Sequence, residues 1–455
     1  MKQVMMLLAA LMMAVFTVNA QEDDGGKKDG FSFQGMGDGT GYSYFTMPLG
    51  YTRIGDQDYI SLRFQPEFVF GKFGVGLDVP ILYSPGNGKF RWEEYKGGVG
   101  PLRVIRYVRY GIKHEDPVYV RLGDITGTTL GYGLIMYNYS NAVSFERRKW
   151  GMNFDVNYDL RYGLEGVYSD FDGFNIVGVR PYVRPLKTSE IPILKTLEVG
   201  ATYITDQDKE TQIRGVTEMG ADLGITVFQN RFVQILPYME FAKILKNDDI
   251  KDSLASSGTG VSYKSGQGFA YGVNFRFNVI ADIFNLGVKL ERRMFSNDFV
   301  PHYFDGLYEA GKDYRAMSLP TAKGQQGSYG EIFANLIGKV QVIGGISLPD
   351  KLKKSENAYI HLGLIVPKLI PKVIISGSYD KAYLKNLGAA FTFNQHSVAN
   401  LRFAYEAYQA GPFVFLTGVD YKWTFVKIND NLKARKYITP YVGMMMNMPW
   451  GDQKK

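Results

Sequence analysis

The chain has 455 residues, among them 52 glycines, 32 tyrosines, 30 phenylalanines and 4 tryptophans, and no cysteine. Without cysteine there is no disulfide framework, thiolate metal site, Cys nucleophile or Cys-linked lipid anchor, and a mean hydropathy of −0.15 excludes a bundle of membrane-spanning helices. A net charge of +7 is diluted over this length, and no Lys/Arg-rich tract supports a nucleic-acid partner.

The first twenty residues read as an export signal. Lys2 gives a positive start, Val4 to Val18 carries no charge, and Val18-Asn19-Ala20 offers a small-residue cleavage site. The run is short for a membrane span of ~20 residues, so cleavage is expected rather than anchoring. Residues 21–38, with Gly25-Gly26, Lys27-Lys28 and several acids, are expected to be a solvated tail. Residues 39–455 are then expected to form one domain.

From Tyr42 onward the pattern is alternation. Ile60, Leu62, Phe64, Pro66, Phe68 and Phe70 form one apolar face, and Phe73, Val75, Leu77, Val79 and Ile81 the next. Gly127-Thr128-Thr129-Leu130-Gly131-Tyr132-Gly133 is read as glycine-rich strand, with Tyr137 and Tyr139 as interfacial residues. Met152 to Leu160 alternates against Asn153, Asp155, Asn157, Asp159 and Arg161. The same period runs through Met219–Val227, Phe269–Val279, Phe284–Leu290 and Phe413–Phe425, and a last strand spans Tyr437 to about Met448. Successive strand side chains point to opposite faces, so each segment has one apolar and one polar face.

A soluble sandwich favours strands of ~5–6 residues, whereas a membrane barrel needs ~9–11 per tilted strand. The segments here are long, and their polar faces carry full charges in mid-strand. Tight turns at Gln229-Asn230 and Ala281-Asp282 alternate with polar loops at Ser84–Gly100, Asp206–Gly215, Lys246–Gly266 and Ser296–Gly327. That rhythm predicts an all-β fold: a single closed antiparallel transmembrane barrel of 18–22 strands, both termini periplasmic and the long loops outside. In this pattern the chain resembles bacterial outer-membrane β-barrel proteins. The resemblance implies the outer membrane of a Gram-negative bacterium, lipid around the wall and no cofactor.

The expected lumen wall includes Asp155, Asp159, Arg161, Arg276, Lys289, Glu291, Arg293, Arg402 and Glu406, charges of both signs that can pair across strands or select solutes. Arg103, Arg106 and Arg109 do not fit one strand face. Phe299, His302, Tyr303, Phe304, Asp305 and Tyr308 lie in the longest loop. Such apolar residues are costly in water, so the loop either packs on the rim or folds inward as a constriction or ligand site. His361 reads as a lumenal hydrogen-bonded histidine, and His114 and His396 as turn or loop residues. No spacing specifies a metal site or a catalytic dyad. The leading expectation is a barrel that passes or binds small polar or charged solutes. The alternative is a closed barrel anchoring a surface or periplasmic protein partner, and an outer-membrane hydrolase is the least supported reading.

Overall fold

The computed structural model describes residues 43–448, apart from 47–48, 55–56, 93–94, 96–99, 114–115, 142–148, 209–215, 246–263, 281–283, 311, 337–339, 352–357, 368–369, 385, 395, 412 and 429–430. The expected signal, the tail and His114 lie outside the described residues. The strands form one sheet that closes on itself.

Twenty staves make the wall, within the expected range. The first half comprises β1 (Ser43–Thr46 with Leu49–Ile54), β2 (Gln57–Phe70), β3 (Phe73–Leu77 with Val79–Ser84), β4 (Lys89–Arg91 with Ile105–Tyr110) and β5 (Val118–Gly123). It continues through β6 (Gly151–Tyr158), β7 (Tyr162–Tyr168), β8 (Ile176–Val183), β9 (Glu198–Asp206) and β10 (Val216–Gly224 with Phe228–Gln229). The second half runs β11 (Val233–Leu245), β12 (Gln267–Ile280), β13 (Phe284–Phe295), β14 (Gln325–Leu336) and β15 (Val340–Pro349). Last come β16 (Tyr359–Pro367), β17 (Val373–Lys381), β18 (Ser397–Ala410), β19 (Phe413–Ile428) and β20 (Asn431–Met448). Each stave pairs antiparallel with the next, and β20 closes on β1 through Ser43 opposite Met448 and Gly50 opposite Tyr441. Closure leaves no unpaired edge, which is what lets a sheet stand in hydrocarbon.

The alternation explains the wall. On β18, Leu401, Phe403 and Tyr405 point outward and are exposed, while Arg402 and Ala404 point inward. On β6, Val156 is exposed while Asn153, Asp155 and Asn157 are buried inside. Tyr408, Phe413 and Phe415 gather near one rim, and Trp150, Tyr168, Phe171 and Phe174 near the other, as interfacial aromatics do. The connections are strongly unequal. At one end the chain turns within Gly71-Lys72, Asp159–Arg161 and residues 281–283, while the other end carries residues 124–150, 246–266 and 296–324. Some connections depart from that rhythm: at the long-loop end only two residues separate β1 from β2 and β19 from β20, and at the short-turn end residues 184–197 form a fourteen-residue crossing with a 3-10 turn at Leu194–Thr196.

Two local expectations are corrected, and the misfit of the basic triplet finds its cause. The basic triplet is not one strand: Arg103 lies in a 3-10 turn (Gly100–Val104), and the register slips between Gly76 and Leu77 where β4 meets β3. That irregularity lets Arg106 reach Glu67 inside the barrel. Asp159 and Arg161 are not on the lumen wall. They sit in the tight turn between β6 and β7, where Asp159 and Leu160 both take positive φ, and alternation cannot distinguish a strand's last residues from its turn. Tyr137 and Tyr139 are not interfacial; both are buried inside the barrel.

Candidate functional site

Two long-loop-end connections fold back into the lumen and pack against each other. The first, residues 124–141, doubles on itself: the Thr128 amide donates to the Tyr139 carbonyl at 3.0 Å and the Tyr139 amide returns the bond at 2.9 Å. Gly127, Gly131 and Gly133 all take positive φ, which ordinary residues resist, so this run is a tight hairpin rather than the strand expected. The second, residues 296–324, carries the short helix α1 (Lys312–Ser318). Backbone bonds knit the two together, with the His302 amide donating to Leu134 at 2.9 Å, Tyr137 to Phe304 at 3.1 Å and Phe304 to Ile135 at 3.2 Å. Ile125, Leu134, Met136, Phe299, Tyr303 and Phe304 form an apolar core that continues into wall residues Ile176, Ile204 and Ile244. An all-polar lumen could not hold loops this apolar; here the upper lumen has become a protein core.

Below that core, charged wall groups take up the plug's polar atoms. Glu240 accepts both the Tyr132 amide at 2.7 Å and the Leu134 amide at 3.0 Å. Lys289 donates to the Tyr132 carbonyl, and the Tyr137 hydroxyl to Glu331. Gly131 passes so close to the wall that a β-carbon there would sit 3.1 Å from Asp222 Oδ2 and from Glu240 Oε1. On the wall itself Arg180 binds Asp222 at 2.6 and 2.8 Å, Glu165 at 3.0 Å and Glu198 at 3.1 Å. At the long-loop side, Lys312 joins Asp206 and Asp208 at 3.0 Å each, and Tyr308 donates to Asp206 at 2.7 Å. Burial opposes a charge on Lys312, but Glu309, Asp206 and Asp208 hold its ammonium well above the ordinary lysine range. Removing one partner from such a buried set strands the others.

Of the wall residues expected, the structure places Asp155, Arg276, Lys289, Glu291, Arg293, Arg402 and Glu406 on inward-facing strand positions. Lys289, Glu291 and Arg293 meet as one network, with Glu291 between the two cations. All six of Phe299, His302, Tyr303, Phe304, Asp305 and Tyr308 are buried inside the barrel. His302 packs on Tyr137 with ring centres 4.7 Å apart and lies 2.8 Å from Arg293 Nη2. A guanidinium can only donate, so His302 Nε2 accepts and its ring proton sits on Nδ1. Burial, then the charges of Arg293, Lys289 and Arg315, hold His302 well below its ordinary value. His361 bonds Asp380 at 2.7 Å as an inward-facing pair.

The lumen is not filled evenly. Along β7–β13 the inward charges beside the plug are dry, with Arg180 2% and Asp222 4% exposed at the side chain, and only lower on β12 is an inward charge, Arg276, wetted. On the opposite wall, β17–β20 with β1–β2, Arg402 and Asp420 pair at 2.7 Å with side chains 36% and 33% exposed. Arg63, Gln65, Ser376, Ser378, Lys422 and Thr439 on that wall are also half-exposed, and Asn400 is exposed. Nearer the short-turn end, beneath the plug, Asn274, Arg276, Asn335 and Gln341 are half-exposed as well. The wetted wall is interrupted by an inward apolar cluster of Ile374, Ala404, Val414 and Leu416 packed by Tyr441.

Sequence reasoning took residues 127–139 for wall and missed the inward course of 124–141. The available signal was that Leu134-Ile135-Met136 breaks the period of two within a glycine-rich run.

No protein-family model and no curated protein matches the sequence. Among solved structures the chain is similar to the outer membrane protein OprD from Pseudomonas aeruginosa, at 8% identity over 92% of this chain and 98% of that one, with a TM-score of 0.35. It is similar to Pseudomonas aeruginosa OccD3 (OpdP) at 9% identity, covering 92% and 95%, with a TM-score of 0.32. It is also similar to Wzi, an Escherichia coli outer membrane protein described as a carbohydrate-binding β-barrel involved in group 1 capsule assembly, at 10% identity, covering 90% and 85%, with a TM-score of 0.33. At these scores the likenesses decide nothing about function, and the fold rests on this chain's own strand pairing: it is a closed barrel of the outer-membrane type.

Proposed function

We propose that the protein passes small polar or charged solutes across the outer membrane through an off-axis passage, bounded on one side by the plug and on the other by β17–β20 and β1–β2. The observation that carries this is the unequal wetting of the lumen. Charged pairs on β7–β13 are sealed, whereas Arg402 and Asp420, facing the same interior, stay about a third exposed. A barrel packed shut would dry both walls. The mixed charges along the wetted wall favour hydrated solutes over apolar ones, and the apolar cluster at Ile374, Ala404, Val414 and Leu416 is the stretch least welcoming to ions. The long loops then face the exterior and the short turns the periplasm.

Purified full-length protein in a planar bilayer should give small, steady conductance, and removing Phe299–Glu309 should raise it. Insertion without conductance in both forms would defeat the proposal. It would favour the second reading, a closed barrel acting as a scaffold, which the bonded two-segment plug supports.

A further inference from the structure

The connection over residues 184–197 is the longest at the short-turn end, and neither the plug nor the passage uses it. Turns that only reverse the chain there take two or three residues, as at Gly71-Lys72 and 159–161. This segment instead carries Leu186, Ile191, Pro192 and Ile193 among Lys187, Glu190 and Lys195. Its backbone is held at both ends: the Arg184 amide donates to the Arg161 carbonyl at 2.7 Å, and the Thr226 amide to the Thr196 hydroxyl at 2.8 Å. Between them the Ser189 amide donates to the Leu186 carbonyl at 2.9 Å and the Thr196 amide to the Ile193 carbonyl at 3.1 Å. The segment therefore runs along the rim from the β6–β7 turn to β10.

None of its residues is buried, and Ile191 and Ile193 are 55% and 43% exposed. It is not a lid on the lumen, because Asn274, Arg276 and Gln341, inward near that end, stay half-exposed. Its apolar tip instead continues the surface on either side. Tyr158, Leu160 and Tyr162 are exposed before it, and Val227, Phe228 and Phe232 after it. Cations are set among these aromatics, with Arg161 5.3 Å from the Tyr162 ring centre and Arg231 5.6 Å from that of Phe232. Apolar side chains with basic ones at their edge are what the headgroup layer of a bilayer accepts. In the three connections 159–161, 184–197 and 230–232, Arg161, Lys187, Lys195 and Arg231 outnumber Asp159 and Glu190, while Arg184 is held by Glu198 at 3.0 Å.

We infer that residues 184–197 form a lipid-binding strap, in which Leu186, Ile191 and Ile193 enter the leaflet at the short-turn end while Lys187 and Lys195 bind the phosphate of an anionic phospholipid. Taking three large aliphatic groups out of water favours insertion, and a backbone already bonded at both ends loses little freedom when it inserts. A soluble acidic protein would match the charge as well. Lipid is the better occupant because the exposed apolar groups form one belt with a wall that lipid already surrounds.

The strap depends on the barrel standing in lipid and not on solute passage. Full-length protein carrying Ile191→Cys is labelled with an environment-sensitive dye and reconstituted into phosphatidylcholine vesicles containing phosphatidylglycerol. Leu401→Cys on the lipid-facing wall and Asn87→Cys in an exposed turn give the lipid and water references. The dye at 191 should be quenched by spin-labelled lipid as at 401 and shielded from iodide, unlike the dye at 87. Spin-labelled phosphatidylglycerol should reach it at lower mole fraction than spin-labelled phosphatidylcholine. Lys187→Glu combined with Lys195→Glu should cut that preference by about fivefold or more, the scale of one basic group at an anionic surface. Iodide quenching at 191 without quenching by spin-labelled lipid overturns the inference and points to a soluble partner. Equal quenching by the two lipids, or a preference that survives both reversals, overturns it too. A protein that keeps this lipid preference yet never conducts would remove the passage and leave the strap standing.

Discussion

Glu240→Ala tests how the plug is held. Glu240 is a buried wall carboxylate whose two oxygens accept the Tyr132 and Leu134 amides, at 2.7 and 3.0 Å, from the tip of the first inward segment. Alanine leaves both amides buried without an acceptor. A buried donor left unsatisfied costs about 1–3 kcal/mol, so docking of the tip weakens by about 2–6 kcal/mol. At about 1.4 kcal/mol per factor of ten, the undocked population rises roughly 30- to 10⁴-fold. Glu240→Gln keeps one acceptor oxygen and should give a clearly smaller effect. The assay is single-channel conductance together with limited proteolysis of refolded protein. Glu240→Ala should show larger, noisier openings and new cleavage within 124–141, and Glu240→Gln less of both. Wild-type conductance and full protease protection in Glu240→Ala would refute the claim that this carboxylate anchors the plug.

Other consequences follow from the same geometry. Gly131→Ala puts a β-carbon into a positive-φ position 3.1 Å from Asp222 and Glu240, which should cost about 1–2 kcal/mol from the backbone alone and loosen the tip, measured by the same proteolysis. Arg402→Ala leaves Asp420 as an unpaired charge in the proposed passage and should shift reversal potentials toward cations, with Asp420→Asn shifting them the other way. Because that pair is about a third exposed, either change should alter stability by no more than about 1 kcal/mol. His302 is neutral when docked, its pKa held below the ordinary 6.5, whereas a released His302 takes up a proton below that value. The released state therefore binds more protons, and docking is at full strength above about pH 6.5 and weakens as pH falls below it. Protease protection of 296–324 should decline between pH 7.5 and 5 in the wild type and stay flat in His302→Gln.

The wall was legible because lipid on one side and lumen on the other impose a period of two on every stave. Phe269–Val279 shows it without interruption, and the even number of staves brings Ser43 and Met448 to the same rim. What alternation could not reveal was anything held by nonlocal contacts. Leu134, Ile135 and Met136 are consecutive and apolar, and only the fold shows that they meet Phe299 and Phe304 from a loop more than 150 residues away. The second segment was visible as an aromatic stretch too apolar for water, but its inward course depends on partners such as Asp206 and Asp208 that no local pattern links to it. Arg106 failed the face rule because a register slip, itself invisible in composition, turned it inward. Asp159 and Arg161 obeyed the period yet lay one turn beyond the strand.

The lack of native cysteine makes the central claim directly measurable. Ser376 faces the lumen on the wetted wall, opposite Arg402, and Thr202 faces it on the sealed wall. Each is replaced by cysteine, and a small charged methanethiosulfonate is added while conductance is recorded. Ser376→Cys should react quickly and lose current as the adduct fills the passage, while Thr202→Cys should remain unmodified with its current intact. Equal modification at both positions, or protection of Ser376→Cys, would contradict an off-axis aqueous passage beside a sealed plug.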